Sequence, residues 1–154
     1  YVEEYVYLYR EIYGDENTLV TDIPAKTLNC RVPGMLLQPL VENALVHSGD
    51  LATRTIHLTA RRQGDWLALR VSDNGGSFSE QTIREVEEIN EDLIPVEKLK
   101  GFGLRSVLQR LRLLYRDCQS LTIFCDPGVE SRIEIRIPWE CYHIDDEALK
   151  RKEP

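Results

Sequence analysis

The segment Val71-Ser72-Asp73-Asn74-Gly75-Gly76 places a carboxylate where a strand breaks into a turn. There, Asp73 can accept a hydrogen bond from the exocyclic amine of adenine; guanine would present a carbonyl acceptor instead. Gly75 lets backbone come close to the base. Upstream, Leu36-Leu37-Gln38-Pro39-Leu40-Val41-Glu42-Asn43-Ala44 carries Glu42 and Asn43, with His47 one turn beyond. The amide oxygen of Asn43 suits magnesium, a hard cation that takes oxygen ligands and keeps several waters. Downstream, Gly101-Phe102-Gly103-Leu104 opens a helix. Its glycines free the backbone to curl around phosphate, and the amides of a helix start favour an anion. Arg105, Lys98 and Lys100 add positive charge nearby. Alone, each segment has a plainer reading: a solvated helix face, an ordinary Asp-Asn-Gly turn, a glycine hinge. Asparagine is a poor helix former, so its place in mid-helix asks for a reason.

Periodicity supplies the elements that must position these groups. Residues 1–13 repeat Tyr5, Leu8, Tyr9 and Ile12 at helical spacing and stop at Gly14-Asp15-Glu16-Asn17. Residues 18–23 read as a strand and 26–32 as a second extended piece. Pro33-Gly34 leads into a helix that ends near His47, with Pro39 tolerable only in its first turns. Residues 48–53 are a loop. Residues 54–62 alternate, with Ile56, Leu58 and Ala60 on one face, and return through Gln63-Gly64-Asp65 into a strand over 66–72. Ser79 caps a helix to Asn90, and residues 92–100 are irregular around Pro95. A helix over 104–116 turns Leu104, Val107, Leu108, Leu111 and Leu114 inward. Strands over 121–125 and 132–137 form a last hairpin. Strands and helices so ordered suit a mixed sheet with helices on one face.

In this order the segments resemble the N, G1 and G2 boxes of the ATPase fold shared by gyrase, Hsp90, histidine kinases and MutL. "LQPLVENA" followed by His47, and "GFGLRSVLQRLRLLY", are similar to the kinase domain of LytS/YesM-type sensor histidine kinases. The resemblance covers residues 5–138. It implies an α/β (α+β) two-layer sandwich, the Bergerat-type ATP-binding fold, with ATP and Mg2+ as ligands. It assigns magnesium to Asn43 and nucleotide binding to Asn43, His47, Asp73, Gly75, Gly101, Phe102, Gly103, Leu104 and Arg105. His47 contacts phosphate or caps its helix. Glu42 polarises an acceptor imidazole, or is simply a surface carboxylate. The stretch from Gly76 to Lys100 becomes a lid that orders over nucleotide.

The resemblance also implies an organisation. Residues 1–14 end a dimerisation and phosphoacceptor helical region, 15–138 form the catalytic domain, and 139–154 are a charged tail. The chain would transfer the ATP γ-phosphoryl group to a histidine outside itself, since His47, His57 and His143 lie in no acceptor motif. Expected partners are the missing phosphoacceptor domain, a response regulator and a second copy of the full-length protein. The expected setting is the cytoplasmic side of a membrane-anchored bacterial protein.

Composition is compatible with this. A chain of 154 residues with 42% hydrophobic content suits one domain. A net charge of -7 argues against a nucleic-acid surface, so bound phosphate must be held by local geometry. Cys30, Cys118, Cys125 and Cys141 form no CxxC pair and no zinc spacing, as for thiols of a reducing cytosol. The acidic start lacks a signal-peptide shape, and no apolar run is long enough to span a bilayer.

Departures from the family pattern define the alternatives. Ser77 stands where a second glycine is usual, Val46 where a basic residue is usual, and Glu130-Ser131 where Gly-Thr is usual. These favour a degenerate, non-enzymatic nucleotide- or partner-binding module of the same fold. A gyrase-like ATPase is disfavoured because Pro39 occupies the position of the water-activating glutamate.

Overall fold

Apolar residues at every second position make the sheet one-sided. In the computed structural model, β2 (Arg54–Gln63) buries Ile56, Leu58 and Ala60 and exposes His57 and Arg61. β3 (Trp66–Asp73) returns antiparallel to it. β4 (Ser120–Asp126) and β5 (Glu130–Pro138) form the second hairpin, and β5 buries Ser131, Ile133, Ile135 and Ile137. β1 (Asn17–Asp22) lies parallel to β2 at the edge. The sheet order is β1-β2-β3-β5-β4, mixed and five-stranded. The structure describes residues 4, 7, 8, 11, 17–27, 30–47, 54–75, 78–116 and 119–139, without the side chains of Asn17, Val46 and His47.

The inner face is covered by α1 (Gln38–His47), α2 (Glu80–Asn90) and α3 (Phe102–Tyr115). Leu40, Val41, Ala44 and Leu45 of α1 meet Leu104, Val107, Leu108 and Leu111 of α3 over the strand residues in one core. α2 lies against β4, where Asn90 Nδ2 donates to the Leu121 carbonyl at 2.7 Å. Arg112 of α3 ties the end of α2 by donating to the Ile89 carbonyl and the Asp92 carboxylate. The outer face is polar and paired within itself. Arg70 and Glu134 meet at 2.6 Å, Arg61 bonds Asp22, and Arg132 lies over the Phe124 ring at 4.6 Å. The architecture is the expected two-layer sandwich.

Local chemistry explains where the boundaries fall. Ser79 accepts from Thr82 N–H at 3.1 Å, which is the cap expected for α2. α1 begins only at Gln38: Leu40 N–H and Val41 N–H both donate to the Leu37 carbonyl, so Pro39 sits in the first turn, where its missing donor costs little. α3 starts at Phe102, earlier than the apolar stripe from Leu104 indicated, because Gly101 provides the turn into it. The extended piece expected over 26–32 is corrected. Ala25–Thr27 is a 3-10 turn, with Thr27 Oγ1 and Thr27 N–H both donating to the Pro24 carbonyl at 2.6 and 2.8 Å. Cys30 N–H then donates to the Thr27 carbonyl at 3.1 Å.

Of the helix expected over 1–13, the described residues Glu4, Tyr7, Leu8 and Glu11 are helical. The loop at 48–53, Gly76, Ser77, Cys118, Cys141, His143 and the tail beyond Trp139 lie outside the described residues, as do the side chains of Val46 and His47. Among the described residues no helix is long and apolar enough to cross a membrane.

Leu108 is fully buried where α3 meets the sheet, and Leu113 on the same helix is 82% exposed. Leu108→Ala is expected to cost about 2–5 kcal/mol in urea unfolding. Leu113→Ala is expected to change it by no more than about 0.5 kcal/mol.

Candidate functional site

Register brings the first part of the site together. Ile56, Asp73, Ser131 and Cys125 stand level across β2, β3, β5 and β4. Asp73 and Ser131 are both buried. Ser131 Oγ donates to Asp73 Oδ2 across 58 residues of sequence. Gly75 N–H donates to Asp73 Oδ1 at 2.8 Å, closing a turn at the strand end. Both carboxylate oxygens are therefore held, and each keeps acceptor capacity for a further donor. The serine of Glu130-Ser131, which departs from the family's threonine, still places a hydroxyl against the carboxylate. Asn74 follows Asp73, and its Oδ1 accepts from Thr55 N–H at 3.0 Å.

The second part is a cleft of about 330 Å³ between helices. α1 contributes Asn43. The entry to α2 contributes Phe78, Ser79 and Thr82. The entry to α3 contributes Lys100, Gly101, Phe102, Gly103 and Leu104. The N-terminal ends of α2 and α3 thus both meet this cleft together with a lysine. Two helix starts and one ammonium make it a local anion environment in a chain of net charge -7. Gly101 has φ 91 and ψ 121, a conformation that L side chains rarely adopt. Gly103 packs against α1: a Cβ added there would lie 3.5 Å from both the Cβ and the carbonyl oxygen of Pro39, an ordinary contact. Ser106 Oγ donates to the Gly103 carbonyl at 2.8 Å and reinforces the first turn.

The remaining expected residues fall around this cleft. Glu42 is half-buried and accepts from Gln38 Nε2 at 2.9 Å, one turn back on α1; it does not line the cleft. Arg105 is half-buried and is also absent from the lining. It lies near Glu97, whose carboxyl is held below the usual range by its own backbone N–H, by the Gln109 side chain, and by Arg112 and Arg105. Lys100 lines the cleft, whereas Lys98 does not. Asp73 and Gly75 sit at the end of β3, and the residues that lead from them toward the cleft, 76–77, are outside the described set. His47 closes α1. Among the described residues no group of three or more His, Cys, Asp and Glu side chains is placed to hold a metal ion.

Phe78, Thr82 and Asn74 were not singled out by sequence. The Ser79 cap was the one signal that a helix would start at the cleft. A separate cleft of about 410 Å³, lined by Asn90, Asp92, Arg112, Arg116 and Gln119, contains none of the sequence-identified residues.

The two glycines make different demands. Gly101→Ala is expected to lower stability by about 1–2 kcal/mol through its positive φ. Gly103→Ala fits the space beside Pro39 and is expected to cost less than half as much. Thermal unfolding of the two variants measures the difference.

Comparison with known proteins identifies the family and agrees with the fold. Residues 33–140 match the model of the histidine kinase-, DNA gyrase B-, and HSP90-like ATPase family. The sensor histidine kinase BtsS of Escherichia coli (strain K12) is 32% identical over 119 residues, 76% of this chain and 18% of BtsS. YpdA, a sensor histidine kinase of the same strain, is 32% identical over 131 residues, 84% of this chain and 22% of YpdA. The chain thus spans about a fifth of the length of these curated relatives. Among solved structures, the histidine kinase domain of the Erythrobacter litoralis EL346 blue-light activated kinase superposes with TM-score 0.60 at 18% identity, covering 99% of this chain and 64% of that one. The catalytic domain of histidine kinase ThkA superposes with TM-score 0.58 at 12% identity, covering 90% and 88%. The chain belongs to the histidine kinase-, DNA gyrase B-, and HSP90-like ATPase family, and its sequence relatives there are sensor histidine kinases.

Proposed function

We propose that this chain is the ATP-binding catalytic domain of a sensor histidine kinase. The observation that carries the reading is the pairing of two built features. One is a buried carboxylate, Asp73, fixed by Ser131 and Gly75. The other is a cleft where Asn43 faces the glycine-bounded start of α3. Asp73 accepts from the adenine amine. The amides of Gly101, Phe102, Gly103 and Leu104, with Lys100, hold the phosphates, and Asn43 offers its amide oxygen to magnesium. Bound there, Mg2+ neutralises charge on the phosphate oxygens.

The acceptor is a histidine of the phosphoacceptor region outside this chain. Its ring nitrogen attacks the γ-phosphorus, the bond to the bridging oxygen breaks, and ADP leaves. Positioning and charge neutralisation supply most of the rate. Glu42 hydrogen-bonds along its own helix, which suits a residue that orients rather than one that takes a proton. A response regulator would receive the phosphoryl group next. The family resemblance implies a full-length protein that works as a membrane-anchored dimer with this domain in the cytoplasm.

Titration of the chain with ATP and magnesium, with GTP as control, tests the site. ATP is expected to bind with at least about tenfold preference over GTP. Asp73→Asn is expected to remove most of that preference, because its amide can present a donor where the carboxylate only accepted. Asn43→Ala is expected to remove the magnesium dependence. Transfer from ATP to a supplied phosphoacceptor domain then tests the kinase reading. Selective binding without transfer would favour the non-enzymatic binding module, and steady phosphate release by the chain alone would favour an ATPase.

A further inference from the structure

We propose that Asn74 is a positioning residue for the nucleotide: its side chain replaces a rung of the β2–β3 ladder and so sets where the backbone leaves the sheet for the base. The inference rests on reading Asp73 as the base-selecting group.

The geometry is specific. The paired register of β2 and β3 ends at Ile56 and Asp73. The next pair would be Thr55 with Asn74. Bonded and non-bonded pairs alternate along an antiparallel ladder, and Thr55 N–H points toward β3, so this pair would be a bonded one. Asn74 Oδ1 accepts that N–H at 3.0 Å. The side-chain amide does what the departing main chain would otherwise do. β2 stays satisfied to its first turn of register while the chain at Asn74 and Gly75 is released into the turn.

That release fixes the base end. Gly75 N–H reaches Asp73 Oδ1 at 2.8 Å only if the chain turns immediately after Asp73. Ser131 holds Oδ2 from the other side. Asn74 lies between the two residues that face the base and is itself exposed just past the end of β3. Its Oδ1 is taken by Thr55 N–H. It acts on Asp73 by fixing the path of the backbone on both sides of itself. Aspartate can accept the Thr55 N–H in the same way, whereas alanine cannot.

Two measurements test this. In the first, the amide of Thr55 is followed by hydrogen exchange in the chain without nucleotide. Its protection is expected to fall in Asn74→Ala and to be kept in Asn74→Asp. Equal protection in the unsubstituted chain and Asn74→Ala would overturn the proposal without reference to any ligand. In the second, ATP binding is titrated for both variants beside Asp73→Asn. Asn74→Ala is expected to weaken ATP binding roughly three- to tenfold, the effect of one ordinary hydrogen bond, and Asn74→Asp to restore it. In an ATP titration of the full-length kinase, KM should carry the loss and kcat should not, a split that a merely destabilised fold would not show. Unchanged affinity in Asn74→Ala, or failure of Asn74→Asp to rescue, would overturn it. If the unsubstituted chain bound no ATP, the nucleotide-site reading would fall and this inference with it, whatever the exchange data showed.

Discussion

A carboxylate that is to choose a base, as proposed for Asp73, must be held still, and holding Asp73 still is the constraint on which the candidate site depends. One oxygen is fixed from within its own turn by Gly75. The other is fixed from β5 by Ser131, 58 residues away in sequence. The second bond exists only if β3 and β5 pair in the register that sets Asp73 opposite Ser131. A slip of one residue would turn the side chains of the slipped strand to the polar outer face, leaving Asp73 and Ser131 on opposite faces. The alternation of Leu67, Leu69 and Val71 on β3 and of Ile133, Ile135 and Ile137 on β5 prevents that slip, since all are buried against the helices. The core and the site are therefore one arrangement: the same inner face that buries the isoleucines ends in the serine and the aspartate.

The phosphate end is built by different means. α1 and α3 are driven together by their leucines, and this packing sets Asn43 across a cleft from Gly101 to Leu104. Gly103 lies against Pro39, so the two helices meet closely at the start of α3, where Gly101 to Leu104 line the cleft. Pro39 thus forms the seat for the start of α3. Lys100 and the start of α2 add to the favourable potential for an anion.

Most of the fold was legible because its elements carry strong periods. Ile56, Leu58 and Ala60 announced β2, and Leu104 to Leu111 announced α3. The extended reading of 26–32 missed the 3-10 turn at its start, because the bonds from Thr27 to the Pro24 carbonyl have no signature beyond a threonine after a proline. In the site, Asp73, Asn43 and the glycines were readable as residue types in motifs. The role of Ser131 was not, because its partner is set by sheet register. It read as a departure from the family's threonine, yet it delivers the same hydroxyl. Asn74 read as turn material, and only the position of Thr55 shows what its amide does.

The account's central claim is that the end of β3 and the helix-lined cleft bind the two ends of one nucleotide. Mapping backbone amide chemical shifts of the chain as magnesium and ATP are added tests it most directly. The account predicts concerted changes at Asp73 and Gly75 and at Gly101 to Leu104, saturating at one ATP concentration, with adenosine alone moving only the first group. Changes confined to the cleft between Asn90 and Gln119, or changes at only one of the two ends with ATP, would contradict it.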